Sequence, residues 1–151
     1  MGEPLAPDRV ADLERRLGHR FRDPAVLERA LTHASYAHEH PPVADNETLA
    51  FLGDAVLALV VAERLVTRDP TAPVGRLTPE RAHLVSGANL ARWAAELGLG
   101  ELVRLGRGEE QTGGRTRESI LATTLEAVLG AVYLEGGLEA ARRGVARLAL
   151  W

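Results

Sequence analysis

Between Asn46 and Thr67 the chain runs without a proline and carries apolar residues on nearly every side of a helix, with Val56, Leu57, Leu59, Val60 and Val61 at its centre. A helix with no polar face to give to water has to be buried, so the remaining elements must wrap it. Asp45 stands before this stretch as a candidate cap, and Pro70 and Pro73 break the chain over residues 69–75.

The flanking sequence offers more helices and no strands. No run alternates apolar and polar residues, and aromatic residues are only 4% of the chain. Val10, Leu13 and Leu17 fall at helical spacing after Pro7, with Gly18 as the stop. Asp23-Pro24 predicts a cap and first turn leading through Leu27, Ala30 and Leu31. Residues 38–44, with Pro41-Pro42, predict a loop. Thr78-Pro79 predicts the start of a helix carrying Ala82, Val85, Leu90, Trp93, Ala94 and Leu97, interrupted near Gly87 and ended by Gly98 and Gly100. Residues 99–105 are a candidate short helix. Residues 106–117 hold four glycines and many charges and read as a mobile loop. A second apolar helix spans 118–135, stopped by Gly136-Gly137, and a last one runs from Leu138 to the end. The expectation is one all-α domain with short connections, which suits 151 residues.

Composition narrows the function classes. With 46% hydrophobic and 26% charged residues the chain has the make-up of a globular protein. Cysteine is absent, which removes disulfides and thiolate zinc sites and fits a reducing cytoplasm. No window reaches the roughly 18 uninterrupted apolar residues of a membrane span. Residues 1–13, with Glu3, Asp8 and Asp12, do not read as a secretory signal. A net charge of −3 argues against coating nucleic acid by bulk charge, although a local basic face stays open. Arg104, Arg107, Arg115 and Arg117 around the glycine-rich segment are one candidate for such a face; a solvated surface loop is the equal alternative. No nucleotide, haem or flavin motif is present.

The segment Asn46-Glu47-Thr48-Leu49-Ala50-Phe51-Leu52-Gly53-Asp54 resembles the signature of the ribonuclease III family, N-E-R-L-E-F-L-G-D. Leu31-Thr32-His33-Ala34-Ser35-Tyr36 is similar to the upstream L-T-H-x-S-Y, and Gly75-Arg76-Leu77-Thr78 with Arg81-Ala82 to G-x-L-T/S-x-x-R-A. Ser119-Ile120-Leu121-Ala122-Thr123-Thr124-Leu125-Glu126-Ala127 and Gly130-Ala131-Val132-Tyr133-Leu134-Glu135-Gly136-Gly137 resemble S-I-L-A-D-x-x-E-A and G-A-I-Y-L-D-G-G. The likeness runs from Leu31 to Gly137 in order. It implies the helical endonuclease fold over residues 1–151, with no double-stranded-RNA-binding domain in the chain.

The resemblance also implies chemistry. Members of this family hydrolyse double-stranded RNA as homodimers, with two Mg²⁺ ions per subunit held by four carboxylates. Residues 50 and 54 lie four apart on one helical face, and residues 123 and 126 three apart on another, so two crossing helices can converge all four positions. Here they are Ala50, Asp54, Thr123 and Glu126. Asp54 and Glu126 are therefore the expected metal ligands and, with Glu47, the expected catalytic residues; Ala50 and Thr123 are degenerate ligand positions. Val74 occupies another position that is acidic in the family. Asp54 is expected to be buried in its apolar helix. Mg²⁺, or Mn²⁺ in its place, is expected to bind weakly if at all. Phe51 matches the family's dimer-contact aromatic. His33 and Ser35 read as a polar pair tying helices together, with no hydrolase elbow near them.

The expected function is engagement of double-stranded RNA as a homodimer for RNA processing, in the cytoplasm and without a small-molecule cofactor, with Mg²⁺-dependent hydrolysis lost or strongly weakened. A divergent or engineered enzyme cutting slowly on a reduced metal site and a protein-interaction module that has left RNA behind are the alternatives.

Overall fold

The structure, a computed structural model, describes residues 4–148. Nine α-helices follow one another among these residues: α1 Pro7–Leu17, α2 Pro24–Ala30, α3 Ala34–Glu39, α4 Glu47–Arg68, α5 Val74–Leu84, α6 Gly87–Glu96, α7 Leu99–Leu102, α8 Arg107–Gln111 and α9 Glu118–Arg147. A 3-10 turn at Gly114–Thr116 precedes α9, and a β-bridge pairs Thr32 with Arg104. The all-α expectation holds.

α4 and α9 form the central crossed pair, and α6, α2 and α1 pack on the other faces of α9. Val56, Leu57, Val60, Val61 and Leu65 of α4 meet Leu125, Val128, Leu129, Ala131 and Val132 of α9 in one continuous core. α9 is long and apolar enough to cross a membrane by length and composition, and most of that apolar surface is spent on this core. α4 is not buried all round: Phe51, Leu59 and Val66 stay exposed along one side.

Local signals set most helix ends. Gly18 takes the left-handed conformation that closes α1, and the Asp23 carboxylate accepts the Ala25 N–H at 3.0 Å to open α2. Asp45 accepts the Glu47 N–H at 3.0 Å at the head of α4. Ser86 Oγ accepts the Asn89 N–H and starts α6, which makes the interruption near Gly87 a true break. Gly137, with φ 69° and ψ −166°, kinks α9 where the sequence predicts a stop. The helix beyond it is described as far as Arg147, and residues 149–151 of the expected final helix lie outside the described residues.

Three expectations differ. α5 begins at Val74, a turn before Thr78-Pro79, because the Pro73 carbonyl accepts the N–H groups of Arg76 and Leu77. Pro79 then removes a single hydrogen bond near the exposed start of the helix. Residues 38 and 39 belong to the short α3, so the loop around Pro41-Pro42 starts later. Residues 106–117 are not a loose loop. Arg115 donates to the carbonyls of Gly100 and Val103, Arg117 pairs with Glu109 and donates to Thr112, and α8 and the 3-10 turn form around these bonds.

Candidate active site

Two glycines decide how closely α4 and α9 can cross. A Cβ on Gly53 would run into the Glu126 carbonyl, and one on Gly130 into the Leu49 carbonyl. Backbone therefore lies on backbone, and the residues beside the crossing are brought together. Asp54 follows Gly53, Glu126 stands one turn before Gly130, and their carboxyl groups hydrogen-bond to each other. Burial first, then the hydrogen bond and the charge of Asp54, push the Glu126 carboxyl up to about 8.

Asp54 is exposed, not buried as its apolar helix suggested. The 100° step from Gly53, which faces α9, carries residue 54 out to the rim of the crossing. Ala50 lies one turn before Asp54 and is buried, at 8% exposure. Thr123 lies one turn before Glu126 and is half-buried. No group of three or more His, Asp or Glu side chains that could hold a metal exists among the described residues.

Glu47 is not joined to this pair. It is the first residue of α4, exposed, and its charge bears on His33 instead. His33 is half-buried at the head of α3; burial lowers its pKa, with Arg117 helping and with Glu47 and Asp45 opposing. Its Nδ1 lies 2.8 Å from Ser35 Oγ and accepts the Ser35 N–H at 3.1 Å. Ser35 Oγ in turn accepts the Gly106 N–H at 2.8 Å. The two residues thus tie α3 to the segment before α8, a link that the sequence suggested without its partner.

The chain resembles known proteins over most of its length. A family model described as Ribonuclease-III-like matches residues 23–150. A protein named Ribonuclease 3 from Heliobacterium modesticaldum is 52% identical over 95% of the chain and 62% of its own length. One of the same name from Thermobifida fusca is 50% identical over 98% of the chain and 61% of its own length. The solved nuclease domain of ribonuclease III from Campylobacter jejuni, a structure concerned with flexibility in a region involved in dimer formation, superposes with a TM-score of 0.86 at 40% identity. That superposition covers 92% of this chain and 94% of the other. The chain belongs to the ribonuclease III family. It spans about three fifths of the length of these curated relatives.

Ribonuclease III enzymes generally depend on a divalent metal, and the donor set can be judged against that need. Asp54 and Glu126 supply oxygen ligands already in contact, and Thr123 offers a neutral hydroxyl one turn away. Two carboxylates with surrounding water suit one hard cation. They do not suit two adjacent ions, which need several bridging and terminal carboxylates.

The candidate site has an apolar flank. Phe51, 83% exposed, projects from the first half of α4. Leu59, Val66 and Val74 continue an exposed apolar stripe toward a groove of about 200 Å³ lined by Ala62, Val66, Val74 and Leu77. The arginines singled out in the sequence are mostly spent inside the fold. Arg104 donates to Thr32 Oγ1 and lies over the Tyr36 ring, Arg115 and Arg117 hold the segment before α9, and Arg107 alone of the four has its side chain exposed without such a role.

Proposed function

We propose that residues 1–151 act as a ribonuclease III nuclease domain that engages cytoplasmic double-stranded RNA as a homodimer, with metal-dependent hydrolysis lost or strongly weakened. One observation carries this reading: the Asp54–Glu126 pair stands alone, with Ala50 and Thr123 in the places from which further carboxylates would reach it. A divalent ion bound by Asp54 and Glu126 would supply an activated water and charge for the leaving oxygen. The chain's own contribution is to fix those two oxygens at a rigid helix crossing. Losing groups that merely orient ligands typically costs about 10–100-fold in affinity or activity, so losing two ligands outright costs more.

Phe51 supports the homodimer. An antiparallel pairing of two α4 helices centred on Leu59 sets the Phe51 ring of one copy above the apolar groove of the other, and covers the stripe on both. The retained pair also favours the neighbouring reading, slow hydrolysis on a single Mg²⁺ or Mn²⁺.

The test is incubation of the purified chain with a long RNA duplex in Mg²⁺ and in Mn²⁺, beside Ala50→Glu/Thr123→Asp. Intact duplex with the unmodified chain and cleavage by the double variant are expected. Robust Mg²⁺-dependent cleavage by the unmodified chain overturns the reading.

A further inference from the structure

The His33–Glu47 neighbourhood is the other polar feature on the working face of α4. Residues 47, 50 and 54 share one side of the helix, and seven residues place Glu47 about 10 Å along it from Asp54. An RNA duplex resting on the carboxylate pair and running along α4 passes over Glu47.

The hydrogen bonds fix what this place offers. Ser35 Oγ accepts from Gly106 N–H, leaving its own proton for His33 Nδ1, which also receives the Ser35 N–H. An Nδ1 that accepts twice is unprotonated, so the proton of the neutral ring sits on Nε2. Nε2 has no hydrogen-bond partner among the described residues. The Asn46 N–H donates to the Thr32 carbonyl at 2.9 Å, which sets the head of α4 against the residue before His33 and brings the exposed Glu47 carboxylate, and Asp45, into electrostatic range of the ring. The cations around it are engaged: Arg117 by Glu109 and Thr112, Arg104 by Thr32 Oγ1 and the Tyr36 ring, and Arg29 by the Asp45 carbonyl.

An N–H donor without a partner, with an exposed carboxylate acceptor in range, suits a neutral group that both gives and takes a hydrogen bond. A phosphate is repelled by Glu47 and Asp45. A ribose hydroxyl is not, and 2′-hydroxyls line the accessible groove of duplex RNA. Resting on the duplex-RNA reading above, we infer that His33 and Glu47 form a ribose-reading site, His33 Nε2–H donating to a 2′-hydroxyl and the Glu47 carboxylate accepting from it. The pair distinguishes RNA from backbones lacking that hydroxyl; it positions the duplex and takes no part in bond breaking.

The experiment measures binding of the full chain to an RNA duplex and to its 2′-fluoro counterpart, which keeps the A-form but cannot donate, by fluorescence anisotropy at low salt with Ca²⁺. His33→Asn retains an acceptor for the head of α3 while removing Nε2–H; Glu47→Ala changes an exposed side chain, and melting followed by circular dichroism verifies both folds. The unmodified chain is expected to prefer the hydroxyl duplex. Each variant should lose about 3–10-fold affinity for that duplex, the value of one hydrogen bond, and none for the fluoro duplex. If His33→Asn does not fold, Glu47→Ala decides. A preference unchanged in the folded variants overturns the ribose-reading site and leaves RNA binding standing. No binding of either duplex by the unmodified chain overturns the RNA reading and this site with it.

Discussion

Gly53 of α4 and Gly130 of α9 lie against each other's backbone, and a Cβ on either would meet main-chain atoms of the opposite helix. Their contact sets the separation of the two core helices, and through it the meeting of Asp54 with Glu126. Gly53→Ala should therefore cost stability at the upper end of the overpacking range, about 3 kcal/mol, because main chain cannot turn aside as a side chain can. Urea denaturation checks this, and a Gly53→Ala chain as stable as the parent would show that the helices part easily.

The raised Glu126 carboxyl makes metal-free stability depend on pH. A carboxyl whose folded pKa, about 8, exceeds the ordinary 4.5 binds its proton more tightly in the folded state. Its contribution is fully present below the ordinary value and is lost as pH rises through about 8. Melting temperature in chelator should fall across that window. Glu126→Gln should flatten the decline, and a divalent ion should offset it at the alkaline end.

Restoring the missing ligands should destabilise the metal-free chain. Ala50 is buried at 8% exposure, so a glutamate there brings a desolvated charge toward two existing carboxyls, and Thr123→Asp adds another. A loss on the order of 1–3 kcal/mol is expected for Ala50→Glu/Thr123→Asp in chelator. Thermal unfolding with and without Mg²⁺ reads it, and higher metal-free stability in the variant contradicts the argument.

Glu135 has a structural role that the Asp54–Glu126 pair does not share. Its carboxylate accepts the N–H groups of Arg22 at 3.0 Å and Asp23 at 2.8 Å and lies 2.9 Å from His19 Nε2, stapling the α1–α2 corner to α9 just before the Gly137 kink. Burial raises this carboxyl, but the Asp23 N–H, His19 and the Arg22 N–H outweigh it and leave the pKa lowered. A lowered carboxyl contributes stability above its ordinary pKa and loses it as pH falls through the folded value. Glu135→Ala should cost about 2–4 kcal/mol at neutral pH and much less in strong acid, as denaturant titrations at the two pH values would reveal.

Phe51 should matter to assembly and not to folding. Phe51→Asp leaves a chain of parental helicity by circular dichroism, because the ring is 83% exposed in the single copy. Sedimentation should show the dimer replaced by monomer. An unchanged dimer would place the interface elsewhere.

The core pair was legible because its signals are dense: a proline-free apolar run for α4, and Gly136-Gly137 marking the kink of α9. The fate of Asp54 was not, since its exposure comes from the angle at which another helix crosses Gly53. Nor was α3, six residues long and held by a His33 side-chain cap and a link to Gly106, 71 positions away from Ser35. Residues 106–117 misled for a related reason. Their arginines look solvated in sequence, but Arg115 finds carbonyls within α7 and at its C-terminal cap, which local composition does not record. The influence of the Glu47 charge on His33 depends likewise on a long-range bond, from the Asn46 N–H to the Thr32 carbonyl.

On the function proposed above, Asp54 and Glu126 are the remaining half of a two-ion cage. Counting bound Mn²⁺ per subunit by electron paramagnetic resonance, for the unmodified chain and for Ala50→Glu/Thr123→Asp, tests it most directly. At most one weakly held ion on the unmodified chain and two on the variant are expected; two tightly held ions on the unmodified chain would contradict it.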